Sequence, residues 1–381
     1  MNNLNRVQEQ GAKVMVAMSG GVDSSVAALL LKGAGYEVIG VTLRLWVDPQ
    51  AEQEAGDEAK GCCSLDAVSD ARNVAAALDI PHYVFDMKEE FFQSIVCNFT
   101  NEYISGRTPN PCVECNRIIK FNVLRQKANG LGIDLLATGH YARSVFDVEK
   151  GFFKLLRGID PQKDQSYMLY VLGQEELAAV IFPLGDKTKQ QIREIAAAGK
   201  LKVADKGESQ EICFIPDNDY RSFMERTCPE ATRPGDIVSV EGHKLGRHRG
   251  IAFFTIGQRK GLGITSTEPL YVVHIDAQEN RIVVGSEKDT YSTGFLADEL
   301  NYISGTPPQE LLEVEVKIRY RTPAVPAVLY PPEAGSARII FKESQKAVTP
   351  GQSAVFYLGE EVLGGGKIKS PESHGRYNEH L

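Results

Sequence analysis

Three cysteines and one glycine-rich turn carry most of the chemistry open to this sequence. Cys112 and Cys115 form a C-x-x-C pair within Gly106-Arg107-Thr108-Pro109-Asn110-Pro111-Cys112-Val113-Glu114-Cys115-Asn116, and Cys213 lies in Gly207-Glu208-Ser209-Gln210-Glu211-Ile212-Cys213-Phe214-Ile215. Thiolates serve as nucleophiles, redox centres and soft metal ligands. A lone C-x-x-C fits a redox pair or half of a zinc site. Zinc needs a second pair, and the sequence offers no other C-x-x-C. The turn is Ser19-Gly20-Gly21-Val22-Asp23-Ser24-Ser25. Paired glycines let a backbone approach an anion closely, while hydroxyls and N–H groups at a helix start donate to phosphate oxygens. The spacing is not that of the G-x-x-x-x-G-K-[ST] phosphate loop. Cys62, Cys63, Cys97 and Cys228 have no motif around them and read as incidental thiols.

These groups must be positioned by a scaffold that the apolar pattern outlines. VMVAM reads as a strand, the glycine turn follows, SSVAALLLKGAG reads as a helix and VIGVTLRLW as a second strand. The alternation continues with DAVSDARNVAAALDI (helix), HYVFDM (strand), EEFFQSIVCNFTNEYIS (helix) and DLLATGHYA (strand), and Ile119-Lys120-Phe121 is expected to open a further helix. Such a pattern predicts a parallel sheet covered by helices, with ligands at the carboxyl ends of its strands. After about residue 220 the runs become short, β-rich and broken by Gly and Pro: DIVSV, YVVHIDA, RIVVG, LEVEVKIRY, AVLY, ARIIF and SAVFYLG. The expected domains are 1–220, 221–289 and 290–381, with SPESHGRYNEHL as a loose tail.

A chain of 381 residues accommodates two or three domains, and 43% hydrophobic with 24% charged residues is an ordinary globular composition. Seven cysteines without an apolar signal core or a long uncharged apolar run argue for cytoplasmic thiol, metal or redox chemistry rather than a disulfide framework, and against a membrane protein. The net charge of −8 argues against a general nucleic-acid binder, since phosphate neutralisation needs clustered cations. Two clusters do stand out, Arg247, Arg249, Arg259 and Lys260, then Lys317, Arg319 and Arg321; each alone reads as a solvated face.

The turn at Ser19 resembles the PP-loop of ATP pyrophosphatases, which split ATP into AMP and pyrophosphate while adenylating a substrate oxygen. SGGVDS, TPNPC-x-x-CN with IKF, ATGHYAR, KDQSY, SQEICFI, TIGQRKGLGI and KIRYR together, in order over nearly the whole chain, resemble the bacterial tRNA-specific 2-thiouridylase family. The resemblance implies a fold class of α/β type, a PP-loop ATP pyrophosphatase domain (adenine nucleotide alpha hydrolase-like) followed by two small β-rich domains, the last of them gripping tRNA. It implies ATP-binding by Ala17, Met18, Ser19, Gly20, Gly21, Val22, Asp23 and Ser24, with Asp23 helping to hold Mg²⁺, Leu43 against adenine and Gly139 near the nucleotide. It further implies tRNA contacts from Asn110, Pro111 and Cys112, which would line the pocket of a flipped base, and from His140, Lys163, Asp164, Gln165, Arg319, Tyr320 and Gln352. Without the motif, His140 reads as a strand-end histidine, Leu43 as a core residue, and Asn110 with Pro111 as a helix cap or turn.

The implied chemistry is adenylation of the uracil C2 oxygen and its replacement by sulfur. Cys213 would carry a persulfide and Cys115 would release the sulfur by forming a disulfide with Cys213. Many family members have Asp where Cys112 stands, and a thiol is a different acid–base group. Alternatively Cys112, Cys115 and Cys213 would ligate a [4Fe–4S] cluster. Implied partners are the anticodon region of tRNA, with Lys, Glu and Gln acceptors and a wobble uridine target, and an upstream sulfur donor such as a cysteine desulfurase or a relay protein. Two rival readings are a PP-loop ligase or amidotransferase acting on a small metabolite, and a non-catalytic tRNA-binding or Fe–S carrier protein.

Overall fold

The computed structural model describes residues 11–50, 65–204, 206–207, 212–215 and 219–373. Strand β1 (Lys13–Ala17) places Val14, Met15 and Val16 in full burial, as expected of a strand covered on both faces. It pairs in parallel with β2 (Glu37–Arg44) and β4 (Leu135–Ala137), in registers such as Val16↔Gly40 and Met15↔Leu136. Strands β3 (His82–Asp86) and β7 (Val180–Ile181) complete a parallel sheet in the order β3-β2-β1-β4-β7. Strand order reverses between β1 and β4, so a crevice opens there at the carboxyl ends.

Helices α1 (Val22–Gly33), α2 (Leu65–Ala77) and α6 (Lys189–Ala198) cover one face through Val26, Leu31, Val74 and Ile192. The opposite face is covered by the helix at 111–130, α4, and by α5 (Gln174–Ala179) through Phe121, Leu124 and Leu177. Helix α3 spans 88–104, and both α3 and α4 contain π-helical turns, at Phe92–Val96 and Cys115–Val123. Helix α4 opens at Pro111 rather than at Ile119. The Asn110 side chain caps it by accepting from the Val113 N–H at 3.4 Å, and proline at the first turn has no N–H to leave unpaired.

Beyond α7 (Tyr220–Thr227), strands β8 (Gly235–Ser239), β9 (Lys244–His248), β10 (Tyr271–Asp276) and β11 (Arg281–Gly285) form a sheet in the order β10-β11-β8-β9. The last unit contains β12 (Tyr291–Tyr302), β13 (Leu312–Lys317), β14 (Val325–Leu329), β15 (Ala337–Lys346), β16 (Ser353–Leu358) and β17 (Glu361–Ser373). Its antiparallel sheet closes through β12–β17 pairing into a barrel filled by Phe295, Ile339 and Phe356, and closure removes the exposed edges. Residues 370–373, expected as part of a loose tail, belong to β17, where Ser370 pairs with Leu296; the rest of that tail, and Cys62 and Cys63, lie outside the described residues.

One pairing crosses the expected division of the chain. The hairpin of β5 (Ala142–Asp147) and β6 (Phe152–Arg157) lies within the first 220 residues, yet β6 pairs with β17 at Leu155↔Val362. The hairpin therefore ties the parallel-sheet domain to the barrel. Among the described residues no helix is long and apolar enough to cross a membrane.

Candidate functional site

The turn between β1 and α1 lies at the crevice. Met18 N–H donates to Val41 O at 2.8 Å, anchoring the turn to β2 beside Leu43, which is half-buried against two apolar clusters. Gly20 adopts φ +69°, and a Cβ there would stand 2.2 Å from Ala67 O; only glycine fits. Gly21 caps α1 with no side-chain bond, leaving the first-turn N–H groups of Val22, Asp23 and Ser24 directed out of the helix. The Ser24 hydroxyl accepts from Ser19 N–H at 3.1 Å and closes the turn on itself. From β4, Gly139 presses on the same helix start, since its Cβ would lie 2.8 Å from Ser24 N. The turn and Gly139 thus meet at the start of α1, whose positive end would suit a polyphosphate.

Two lysines that no sequence motif singled out reach this turn. Lys189, the first residue of α6, places Nζ 2.7 Å and 2.9 Å from the two carboxylate oxygens of Asp23, and the Tyr141 hydroxyl donates to Asp23 at 2.7 Å. Lys206 donates to Gly20 O at 3.1 Å and to Asp70 at 2.6 Å. Tyr141 follows His140 directly, so the ATGHYAR run did carry a signal for it; nothing in the spacing of Lys189 or Lys206 does.

The thiols belong to a different apolar cluster from the one that holds Met18 and Val22 of the turn. Cys115 is buried and Cys213 half-buried in one apolar cluster with Phe91, Phe99, Phe214 and Phe223, whereas Cys112, one turn earlier on α4, is exposed. Among the described residues, no three His, Cys, Asp or Glu side chains stand close enough to hold a metal, and Cys112, Cys115 and Cys213 form no disulfide with one another. Cys112 is thus exposed where Cys115 is packed among apolar side chains.

The residues expected to meet tRNA divide into two groups. His140 is buried between Phe121 and Phe182, with Nδ1 2.6 Å from the Thr138 hydroxyl, and burial together with nearby Lys120 holds its pKa well below the ordinary value. Asp164 is buried and accepts from Gly158 N–H, Ser166 N–H and the Ser166 hydroxyl, each at 3.0 Å, and Gln165 accepts from Tyr141 N–H at 3.0 Å. Gln352 donates to the carbonyls of Thr108 and Pro109. These four are tied into the scaffold. More outward lie half-buried Lys163 and the cation–aromatic group on β13 and just beyond it. There, Lys317 stands 5.4 Å from the Tyr320 ring and 5.8 Å from that of Tyr167, while Arg319 donates to the carbonyls of Lys346 and Ala347. Burial draws the pKa of Lys317 and of Arg319 down.

A parallel sheet with a glycine phosphate turn at its switch point, followed by a small β-sheet domain and a closed β-barrel, defines a PP-loop nucleotide-binding enzyme of the HUP class with two appended β domains. The families described as tRNA methyl transferase HUP domain, tRNA methyl transferase PRC-barrel domain and Aminomethyltransferase beta-barrel domain match residues 12–217, 221–286 and 292–368. Curated relatives called tRNA-specific 2-thiouridylase MnmA include those of Carboxydothermus hydrogenoformans and Moorella thermoacetica. The first is 50% identical over 94% of this chain and 97% of its own, the second 51% identical over 93% and 99%. The relative of Geotalea uraniireducens is 50% identical over 94% of this chain and 95% of its own. The chain belongs to the tRNA-specific 2-thiouridylase family.

Proposed function

We propose that the protein is a tRNA-uridine 2-sulfurtransferase that uses ATP to activate the C2 oxygen of a wobble uridine in the anticodon and replaces that oxygen with sulfur. The observation that carries the reading is the pairing of a glycine turn at the start of α1, Ser19–Ser24, with two thiols, Cys115 and Cys213, in one apolar cluster that also takes in Leu43 of β2. The uracil C2 oxygen leaves poorly as hydroxide and readily as AMP. Attack of that oxygen on the α-phosphorus of ATP expels pyrophosphate, which the α1 N-terminus, Lys189 and Lys206 would stabilise. Mg²⁺, carried with ATP, would screen the same charge.

A persulfide on Cys213 then supplies sulfur: its terminal sulfur attacks C2 and AMP departs. The Cys115 thiolate attacks the Cys213 Sγ, the old S–S bond breaks, and the electron pair leaves on the thiouridine sulfur. The resulting Cys115–Cys213 disulfide needs a thiol reductant, and a cysteine desulfurase or relay protein would reload the sulfur. Packing of the buried Cys115 and half-buried Cys213 among apolar side chains would limit the access of water to the persulfide. The other route of sulfur delivery would have Cys112, Cys115 and Cys213 as thiolate ligands of a [4Fe–4S] cluster, and no step above passes through that group.

The tRNA would lie along Asn110, Pro111 and Cys112, then Lys163, Lys317, Arg319 and Tyr320, with His140, Asp164, Gln165 and Gln352 shaping that surface from behind. Lys, Glu and Gln acceptors and a cytoplasmic setting accompany this reading. Methyl transfer, named in two of the family descriptions, would use neither ATP cleavage nor paired thiols. The test is AMP formation with and without unmodified tRNA, followed by nucleoside mass spectrometry. AMP that depends on tRNA, with thiouridine in the product, is expected. AMP formed equally without RNA would point to a small metabolite, and a methyl mass increment would point to the second reading.

A further inference from the structure

The C-terminal barrel grips the cysteine-bearing segment at two separate points. Gln352 Nε2 donates to Thr108 O and to Pro109 O, both at 3.0 Å, and Thr108 N–H donates to Pro350 O at 2.9 Å. Gly351 adopts φ +88° between them, where a Cβ would lie 2.9 Å from both Thr108 N and Thr108 O. On β17, Lys367 Nζ stands 2.8 Å from Glu299 and 3.9 Å from both Glu102 and Glu114. Glu102, near the end of α3, is also held by Arg107 at 2.7 Å, and Glu114, between the two cysteines, is held by Arg117. The Glu102 and Glu114 side chains are only 7% and 9% exposed, so removing the lysine leaves each with its arginine alone and unties both from β17.

We propose that Lys367 and Gln352 are positioning residues for sulfur transfer: through them the barrel fixes the start of α4 and so the placement of Cys112 and Cys115. The proposal rests on reading these thiols as the sulfur-transfer machinery. It makes the barrel a part of the reacting site as well as a holder of RNA.

The test uses the full chain with Lys367→Met, Gln352→Leu and, as the conservative rescue, Lys367→Arg. Alkylation of each cysteine by iodoacetamide is followed by peptide mass spectrometry without tRNA, beside AMP formation and single-turnover thiouridine yield. A buried thiol reacts through local opening, so its rate follows the opening equilibrium. Cys115 is expected to react about tenfold faster in both variants, with buried Cys228 unchanged and Lys367→Arg restored towards the parent. Thiouridine yield falls while the KM for ATP stays as in the parent. Equal acceleration of Cys115 and Cys228 would signify general loosening and overturn the proposal, as would an unchanged Cys115 in both variants. A parent protein that makes no thiouridine would defeat the proposed reaction, yet the alkylation rates would still decide whether the barrel positions the thiols.

Discussion

Gly20 and Gly21 are adjacent and equivalent in the motif, yet the fold asks different things of them, and alanine at each position separates the two demands. At Gly20, φ is +69° and the added Cβ would lie 2.2 Å from Ala67 O and 2.9 Å from Ala67 C, both backbone atoms that cannot swing aside. The left-handed conformation costs an L-residue about 1–2 kcal/mol. Moving α2 back to relieve the clash adds roughly 1–3 kcal/mol. A loss of about 2–5 kcal/mol in a domain of this size lowers Tm by about 4–20 °C. At Gly21, φ is −98° and the Cβ meets only Ser19 Oγ at 3.5 Å, an ordinary contact. Alanine as a helix cap costs about 1 kcal/mol, so Tm falls by no more than about 4 °C. On the proposed reading the methyl would nevertheless stand where phosphate oxygens approach the first-turn N–H groups. Losing one charge-assisted hydrogen bond of about 1.5–3 kcal/mol raises the Kd for ATP by about tenfold or more. Scanning calorimetry of both variants with and without ATP, paired with ATP titration, reads both quantities. The reasoning is refuted if Gly20→Ala melts with the parent, or if Gly21→Ala melts far below it while binding ATP normally.

Lys189→Met leaves the Asp23 carboxylate beside the phosphates without its ammonium, so the KM for ATP should rise by about tenfold or more; an unchanged KM would remove Lys189 from the site. Asn110→Ala deletes the α4 cap and should cost about 1 kcal/mol in chemical denaturation, a value near zero contradicting the capping role. His140 stays neutral in the folded chain because burial, with Lys120 adding to it, holds its pKa far below 6.5. Its contribution is fully present above pH 6.5 and is lost as pH falls below that value, because only the unfolded chain then takes up the proton. Unfolding free energy should therefore decline by about 1.4 kcal/mol per pH unit from this one group. His140→Gln should flatten that slope, and an identical slope in the variant would show that other groups set it.

What the sequence made legible is what local pattern encodes. Five consecutive apolar residues in VMVAM, a glycine turn and an apolar-periodic run are enough to place the phosphate turn between β1 and α1. The joint between hairpin and barrel was not legible, because Leu155 finds its partner at Val362 and nothing local in ARSVFD or FFKLLR distinguishes that pairing from a free hairpin. The start of α4 was signalled by Asn110-Pro111 but lay outside the apolar periodicity that set the expected helix at Ile119. Lys189 and Lys206 were missed for a different reason: each is an ordinary polar residue locally, and only the tertiary fold brings Nζ to Asp23 or Gly20. His140 and Asp164 carried a motif but no sign of their burial.

The central claim is that the uridine oxygen leaves on AMP and sulfur takes its place. It is tested most directly with tRNA labelled with heavy oxygen at C2 of the target uridine, incubated with the protein, ATP, a persulfide donor and a thiol reductant, with the AMP and nucleosides then weighed by mass spectrometry. The account predicts that AMP carries the heavy oxygen in step with the appearance of 2-thiouridine, and that Cys213→Ser forms the adenylate but no thiouridine. Unlabelled AMP, or thiouridine formed without Cys213, would contradict it.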